Sequence, residues 1–552
     1  MATSRSETRP RGPSLRKDGP AGATSRTGVR TGPPFGRVLV ANRGEIAVRI
    51  IRTFRELGME TVAVFSDADA AARHVRLADE AVHIGASPAS DSYLRIERIV
   101  DAARATGCQA IHPGYGFLAE RSAFASAVEA AELAFVGPSS SIIEALGNKL
   151  NARRFAREAG VPVVPGTLQP ANVDRADDVA SIVAEAQEIG FPLLVKAAAG
   201  GGGRGMRRVG GPAELPAALA AGSREAADAF GDGAVYLERE ITPARHIEVQ
   251  LLGDVSGRVI AIGERDCSIQ RRHQKLVEEA PAPGLTLGER RNLHDLAVRV
   301  ATRAGLVNAA TAEFLRSPDG SFYFLEVNTR LQVEHGVTEL VTGLDIVREQ
   351  FWLAAGRPLS DEALAASEHA AEPSGHAIEV RISAEDPARD FAPTPGPIRR
   401  WEMPAGPGVR VDSAIGAGDR VPPDYDNLIA KVMVHAGDRP AALERLRRAL
   451  DETEVAGVQT TLPFHRFVAR HPAFRGGELS TGWVGDWWDG PGELRRATRS
   501  AMLAAGLDAL ENGLATSIAG DGSAKAVRAV PVAGDGGWAS AARRAATDRW
   551  PA

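Results

Sequence analysis

The eleven residues LEVNTRLQVEH, 325–335, alternate polar and apolar side chains almost without a slip. Glu326, Asn328, Arg330, Gln332 and Glu334 fall on every second position, with Leu325, Val327, Thr329, Leu331 and Val333 between them. A strand repeats its faces every two residues, so the pattern predicts one strand with five polar groups on one side and aliphatic groups on the other. Such a strand needs a packed sheet beneath it and a chemical reason for the row of charges above it.

Strands and helices alternate through the rest of the chain. RVLVA reads as a buried strand, GEIAVRIIRTFRELG places Ile46, Ile50, Phe54 and Leu57 at helical spacing before Gly58, and ETVAVFS is a second strand. This β-α-β start predicts a parallel sheet. Its turn, ANRGEIA, is not the GxGxxG fingerprint, so nucleotide binding does not follow from the pattern alone. CQAIHPGYGFLAE and AFVGPSS continue the alternation, and a helix broken near Gly160 leads to VPVVPGT. GFPLLVKAAAGGGGRGMRRV then reads as strand, glycine-rich loop and strand, and AVYLEREI, HIEVQLLGD and GHAIEVRISAED are strand-like. Near the end, Glu493–Leu510 is one amphipathic helix candidate.

A chain of 552 residues predicts about three or four domains. Hydrophobic content of 44% and charged content of 24% are those of a soluble globular protein. The net charge of −5 gives no general electrostatic case for nucleic acid. Cys108 and Cys267 are the only cysteines, which excludes a disulfide scaffold and predicts a reduced, cytoplasmic setting. No run of about 18 apolar residues predicts a membrane span. Residues 1–34 are rich in Arg, Ser, Gly and Pro, poor in large aliphatics and without an apolar signal core, and read as a solvated, disordered basic extension.

Three segments carry chemistry. In KAAAGGGGRGM, Gly200 to Gly203 let backbone N–H groups approach an anion, with Lys196 entering the loop and an arginine leaving it. Polyglycine by itself is a hinge, and the GxxxxGK[ST] order is absent. The flanking cations favour a mobile phosphate lid. Glu313 in TAEFL and Glu326 in FLEVN flank a hairpin with the turn SPDG, which places two carboxylates side by side. Buried together they need a cation, and magnesium carried with nucleotide phosphates fits, with Asn328 as a neutral oxygen. ERDCSIQRRHQKLVEEAPAP packs Arg271, Arg272, His273 and Lys275 within five residues; such a run is usually a solvated face, and its place in a core segment favours an anion site.

VLVANRGEIAVRII, AIHPGYGFLAE, VKAAAGGGGRGM, ERDCSIQRRHQKLVEEAPAP, LEVNTRLQVEHGVTE and EVRISAED together resemble biotin carboxylase, the ATP-grasp component of biotin-dependent carboxylases. The likeness runs from about Phe35 to Trp488 and keeps six motifs in the family's order. It implies a multidomain α/β and α+β fold. Residues 35–148 would be a Rossmann-like pre-ATP-grasp domain. An ATP-grasp domain would occupy 149–355, with a mobile glycine-rich lid at about 168–240. The biotin carboxylase C-terminal domain would be 374–488, followed by a tail, 489–552, whose one helix is either a plain surface helix or a docking element for a partner.

The resemblance also implies a reaction: ATP activates bicarbonate as carboxyphosphate, which delivers its carboxyl group to N1′ of biotin. Lys149, Lys196, Glu238, His246, Gln270 and His273 would contact ATP, backbone near Arg239 and Ile241 would hold adenine, and Gly201, Gly202 and Gly203 would close over the phosphates. Glu313, Glu326 and Asn328 would hold Mg²⁺ or Mn²⁺. Lys275, Arg330, Gln332 and the Val333 backbone would hold bicarbonate, with Glu334 as the base that deprotonates it. Arg381 would stabilise the biotin enolate and Tyr115 would line the biotin site.

Four departures from the family's pattern stand out. Gly336 replaces the usual proline after the EH pair, Ala199 the first glycine of the lid run, and LEREI a segment ending in an aromatic residue and leucine. GSFYF also sits one residue further from Glu313 than in the shortest members. None removes a reacting group. Gly336 is expected to loosen the strand end that carries the base. None of the six methionines precedes a lysine, so no carrier biotinylation site is read here. A biotin carboxyl carrier protein and a carboxyltransferase are therefore expected as partners, with a homodimer implied at family level and fatty acid biosynthesis as the context. Other ATP-grasp ligases share the lid and metal glutamates but not RLQVEH joined to RHQKLVEEAPAP. A silent nucleotide-sensing scaffold has no need of Lys275, Arg330, Glu334 and Arg381 together.

Overall fold

The computed structural model describes residues 34–198 and 206–518. Ala199 and Gly200 to Gly203 lie outside the described residues, as does the basic extension.

The predicted β-α-β start is present. Strand β1 (Arg37–Val40), helix α1 (Gly44–Glu56) and strand β2 (Glu60–Ser66) follow one another. With β3 (Glu80–Gly85), β4 (Ala110–His112) and β5 (Ala134–Phe135) they form a parallel sheet of order β3-β2-β1-β4-β5. Ile46, Ile50 and Phe54 on one stripe of α1 are buried against Val38, Val40 and Phe351, which is why this segment is helical and crosses over the sheet. Gly58, at φ +73°, reverses the chain into β2. Strand order turns about β1, and the loops after β1 and β4 meet at that switch point. There Asn42 donates to the carbonyls of Pro113 (2.7 Å) and Tyr115 (2.8 Å).

A small antiparallel sheet follows, from β6 (Leu193–Ala197), β7 (Arg207–Val209) and β8 (Val235–Arg239) in the order β7-β6-β8. Helices Ala176–Ile189 and Leu215–Phe230 cover it, and Ile182, Leu193, Val195, Val209, Leu219 and Leu237 form a separate core. This unit carries Lys196 and Glu238.

The third sheet positions the chemistry. Its strands are β9 (Arg245–Gly253), β10 (Val259–Arg271), β11 (Gln274–Ala280), β12 (Asn308–Arg316), β13 (Phe322–Asn328), β14 (His376–Ser383), β15 (Val409–Ser413) and β16 (Leu428–Ala436). They run antiparallel in the order β13-β12-β9-β10-β11-β14-β16-β15. Val277 pairs with Val380, so hydrogen bonding continues from the hairpin strands into the C-terminal segment. Helix Leu287–Arg303 seals one face through Leu293, Leu296 and Val300, and helix Arg439–Glu452 another part through Leu443, Leu446 and Leu450.

The hairpin is as expected: Glu313 lies directly opposite Glu326. The single strand expected over 325–335 is not. Strand β13 stops at Asn328, residues 329–334 turn, and a helix starts at His335. Leu331 is fully buried, while the Thr329 N–H and the Arg330 guanidinium both donate to Glu120. Alternation here reflects side chains pinned on opposite sides of a turn, a pattern that period-two counting cannot separate from a strand. The last helix, Gly490–Ile518, is longer than the segment read from sequence and leaves Met502, Leu503, Leu507 and Leu510 exposed. Both thiols are buried and free. Among the described residues, no helix is long and apolar enough to cross a membrane.

Glu279 on β11 ties the shared sheet to the C-terminal segment. It is buried, lies 2.8 Å from His376 Nε2, and accepts from Arg439 Nε at 2.7 Å and Nη2 at 3.0 Å. Burial pushes its carboxyl up, but those hydrogen bonds overcome it and hold it at about 2, against 4.5 for an ordinary glutamate. Its folded value is depressed, so its stabilisation is complete above about pH 4.5 and is lost as pH falls toward 2. Urea unfolding should show Glu279→Gln less stable by roughly 3 kcal/mol at pH 7. The variant should also lose less stability than the parent between pH 7 and about pH 3. Parallel pH profiles for the two proteins would refute the assignment.

Candidate active site

Lys275, at the start of β11, is the centre of the polar face. Its ammonium bonds Glu248 on β9, Glu313 on β12 (2.9 Å) and Glu334 in the turn before the helix His335–Thr342 (2.7 Å). Burial acts to lower its pKa, but the three carboxylates raise it well above the ordinary lysine range, so it is a fixed cation. Beneath it, the fully buried Arg265 donates to Glu248, to Gln250 (2.9 Å), to Thr338 (2.8 Å) and to Thr311 (3.2 Å).

Glu334 has no exposed surface. Its second oxygen accepts from Arg381 Nη2 at 2.8 Å. Burial would raise its pKa, yet Lys275, Arg381 and Arg265 together hold it well below the usual carboxylate range. The carboxylate is thus ionised, the form able to take a proton. Arg381 also donates from Nε to Glu278 at 2.6 Å. Burial lifts Glu278 to about 7 despite that partner.

Arg330 is held in its plane from several sides. Nε donates to Glu120 (2.7 Å), Nη1 to Gln332 Oε1 (2.9 Å) and Nη2 to Asn328 Oδ1 (3.2 Å). A guanidinium fixed this way presents a planar fork to a planar oxyanion. The Val333 carbonyl accepts from Lys431 at 2.8 Å.

The metal candidates lie at the neighbouring hairpin. Glu313 and Glu326 face each other across β12 and β13, and Asn328 Nδ2 donates to Glu313 at 2.9 Å. Lys149 Nζ lies 3.0 Å from Glu326, and His246 Nε2 lies 3.2 Å from Glu313 without an aligned hydrogen bond. The Lys275 and Lys149 ammoniums now neutralise carboxylates that a divalent cation would otherwise balance. The two carboxylates are hard donors that suit Mg²⁺ or Mn²⁺, while the Asn328 oxygen is turned toward Arg330 and its amide N–H₂ toward Glu313.

The remaining sequence candidates are spread around this centre. Lys196 and Arg153 (2.6 Å) both bond the buried Glu238 carboxylate on the small sheet. Gln270 pairs with Lys275 across β10 and β11. His273 sits at the tip of that hairpin with φ +64°. Burial and the nearby Lys196, His246 and Lys149 lower its pKa, so it is neutral. The Arg239 N–H is already donated to the Pro165 carbonyl at 2.7 Å. Ile241 lies in the loop that follows β8. Tyr115 donates to Glu45 at the start of α1.

Glu120, Glu248, Arg265 and Lys431 were not singled out from sequence. Glu248 and Gln250 alternate with Ile247, Val249 and Leu251, the same signal as the opening stretch, and Lys431 interrupts the aliphatic run LIAKVMV. Glu120 and Arg265 carry no comparable local signal.

Gly336 corrects an expectation. It lies in the first turn of the helix that Glu334 begins, not at a strand end, and it is packed: an added Cβ would stand 2.3 Å from Met433 Sδ. Gly336→Ala should therefore cost about 1–3 kcal/mol in urea unfolding, and combined with Met433→Ala the loss should be smaller than the sum of the two single losses. Unchanged stability in Gly336→Ala would contradict this packing.

Comparison with known proteins gives the same reading. The family model "Biotin carboxylase, N-terminal domain" matches residues 34–143. "Carbamoyl-phosphate synthase L chain, ATP binding domain" matches 148–362, and "Biotin carboxylase C-terminal domain" matches 379–486. Biotin carboxylase 1 of Bacillus subtilis is 48% identical over 446 residues, covering 81% of this chain and 97% of that protein. The biotin carboxylase of Pseudomonas aeruginosa is 48% identical over 438 residues, 79% of this chain and 95% of its own. A biotin carboxylase–β,γ-ATP complex from Campylobacter jejuni superposes with a TM-score of 0.78 at 42% identity, covering 82% of this chain and 99% of that one. The biotin carboxylase domain dimer of Hydrogenobacter thermophilus 2-oxoglutarate carboxylase, solved with MgADP, ADP and bicarbonate, also gives 0.78, at 45% identity and 82% and 97% coverage. With three family models in order and relatives of this identity along most of its length, the chain belongs to the biotin carboxylase family.

Proposed function

We propose that this chain carboxylates biotin with bicarbonate at the expense of ATP, the first half-reaction of a biotin-dependent carboxylase. The observation that carries this reading is the grouping of Lys275 and Arg381, each bonded to one oxygen of Glu334, with Arg330 and the Glu313–Glu326 pair on the same polar surface. Arg330 and Gln332 hold bicarbonate, and Glu334 takes its proton. The freed oxygen attacks the γ-phosphorus, the bond to the ADP oxygen breaks, and carboxyphosphate forms. Its carboxyl group passes to N1′ of biotin as the C–O bond to phosphate breaks, and the departing phosphate takes the N1′ proton, while Arg381 balances charge developing on the ureido oxygen and Tyr115 lines the biotin site. Lys149, Lys196 and His246 contact the nucleotide, with Glu238, Gln270 and His273 around it and the backbone near Arg239 and Ile241 at the adenine. Held by Glu313, Glu326 and Asn328, Mg²⁺ would neutralise phosphate charge. Catalysis is then positioning plus electrostatics.

Purified protein with Mg²⁺-ATP should release ADP only with bicarbonate and faster with free biotin. Glu334→Gln should lower kcat at least about 100-fold with little change in ATP affinity. ADP release indifferent to bicarbonate and biotin would refute the reading.

A biotin carboxyl carrier protein and a carboxyltransferase, which sets the acyl acceptor, are the proposed partners, and the dimer of the Hydrogenobacter domain supports a homodimer here. Two free buried thiols suit a reducing, cytoplasmic setting. The exposed Met502, Leu503, Leu507 and Leu510 suit the last helix to docking on a partner protein. Deleting residues after Gly490 should abolish co-purification with that partner and leave free-biotin carboxylation intact. Unchanged complex formation would rule the helix out.

A further inference from the structure

Lys431 stands in the middle of β16, between Ile429, Ala430, Val432 and Met433, all buried, and has no exposed surface itself. Dehydrating an ammonium is expensive, and an aliphatic side chain would satisfy this strand. Its contacts explain its presence. Nζ donates to the Val333 carbonyl at 2.8 Å, lies 3.2 Å from Glu45 Oε1 and 3.8 Å from Asp412 Oδ2. Val333 immediately precedes Glu334. Lys431 is also the cross-strand partner of Arg381, which holds the Glu334 carboxylate. Two neighbouring cations on one sheet therefore grip two successive residues of the turn, one by its carbonyl and one by its side chain. Glu45, in turn, accepts from Tyr115.

We infer that Lys431 is a positioning residue for the reaction proposed above, on which this inference rests. Through Val333 it sets the place of the base, and through Glu45 it sets the tyrosine beside biotin. The contacts join three parts of the chain: the start of α1, the turn after β13, and β16. Asp412 keeps a second partner when Lys431 is removed, Arg410 Nη2 at 2.8 Å.

Removing Lys431 alone strands the Glu45 carboxylate, so the decisive protein is Lys431→Met combined with Glu45→Gln. Glu45→Gln alone serves if the double variant does not fold, and Lys431→Arg tests rescue. ADP release is measured on the full chain against bicarbonate and free biotin, and ATP dissociation constants by calorimetry. The double variant should lose about tenfold or more in kcat and raise the KM for biotin, with ATP affinity within about twofold of the parent. Glu45→Gln should raise the KM for biotin, and Lys431→Arg should lie between parent and double variant. Parent-like kcat and biotin KM overturn the inference. So does a loss of ATP affinity in step with rate, the mark of general structural damage. A parent protein whose ADP release ignores biotin instead overturns the carboxylase reading, and that result is read on the parent alone.

Discussion

The site depends on one buried ammonium. Three carboxylates, Glu248, Glu313 and Glu334, come from two strands and a turn to a point where they would repel one another strongly without a cation. Lys275 supplies it, and its own burial is tolerable only because all three carboxylates are present. Each group thus makes the others possible, and Arg265 extends the balance beneath Glu248. The result is a site whose polar atoms are fixed before substrate arrives, which is what charge-stabilised phosphoryl transfer requires.

Sheet continuity extends this arrangement. Pairing of β11 with β14 brings Arg381 beside the turn that carries Glu334, and pairing of β14 with β16 brings Lys431 beside Arg381. Residues about 50 and 100 positions downstream of Glu334 therefore lie beside it and Val333 as near neighbours. A sheet is a stiff way to do this, because every strand position is set by hydrogen bonds on both sides.

Much of the fold was legible because local patterns and tertiary demands agree. Ile46, Ile50 and Phe54 repeat at helical spacing and are buried on one stripe. The hairpin between Glu313 and Glu326 is announced by its turn, and the two residues pair directly. Of the candidate groups, Lys275, Arg330, Glu334 and Arg381 converge as a bonded set with Asn328 and Gln332, and Lys149 reaches Glu326. The strand over 325–335 misled for a physical reason. Residue types alternate past Asn328, but there the turn is held by Glu120 and by burial of Leu331 without ladder hydrogen bonds.

By itself the sequence determined most of the element types, the candidate reacting groups and the family, since these rest on residue identity, short-range spacing and motif order. Only the tertiary structure decided which charges neutralise which. Glu120 on Arg330, Glu248 on Lys275 and Lys431 on Val333 are contacts between residues far apart in the chain. A lone glutamate or lysine in a sequence carries no mark of its partner. The partner is chosen by the sheet that brings the two together and by the cost of burying either charge alone.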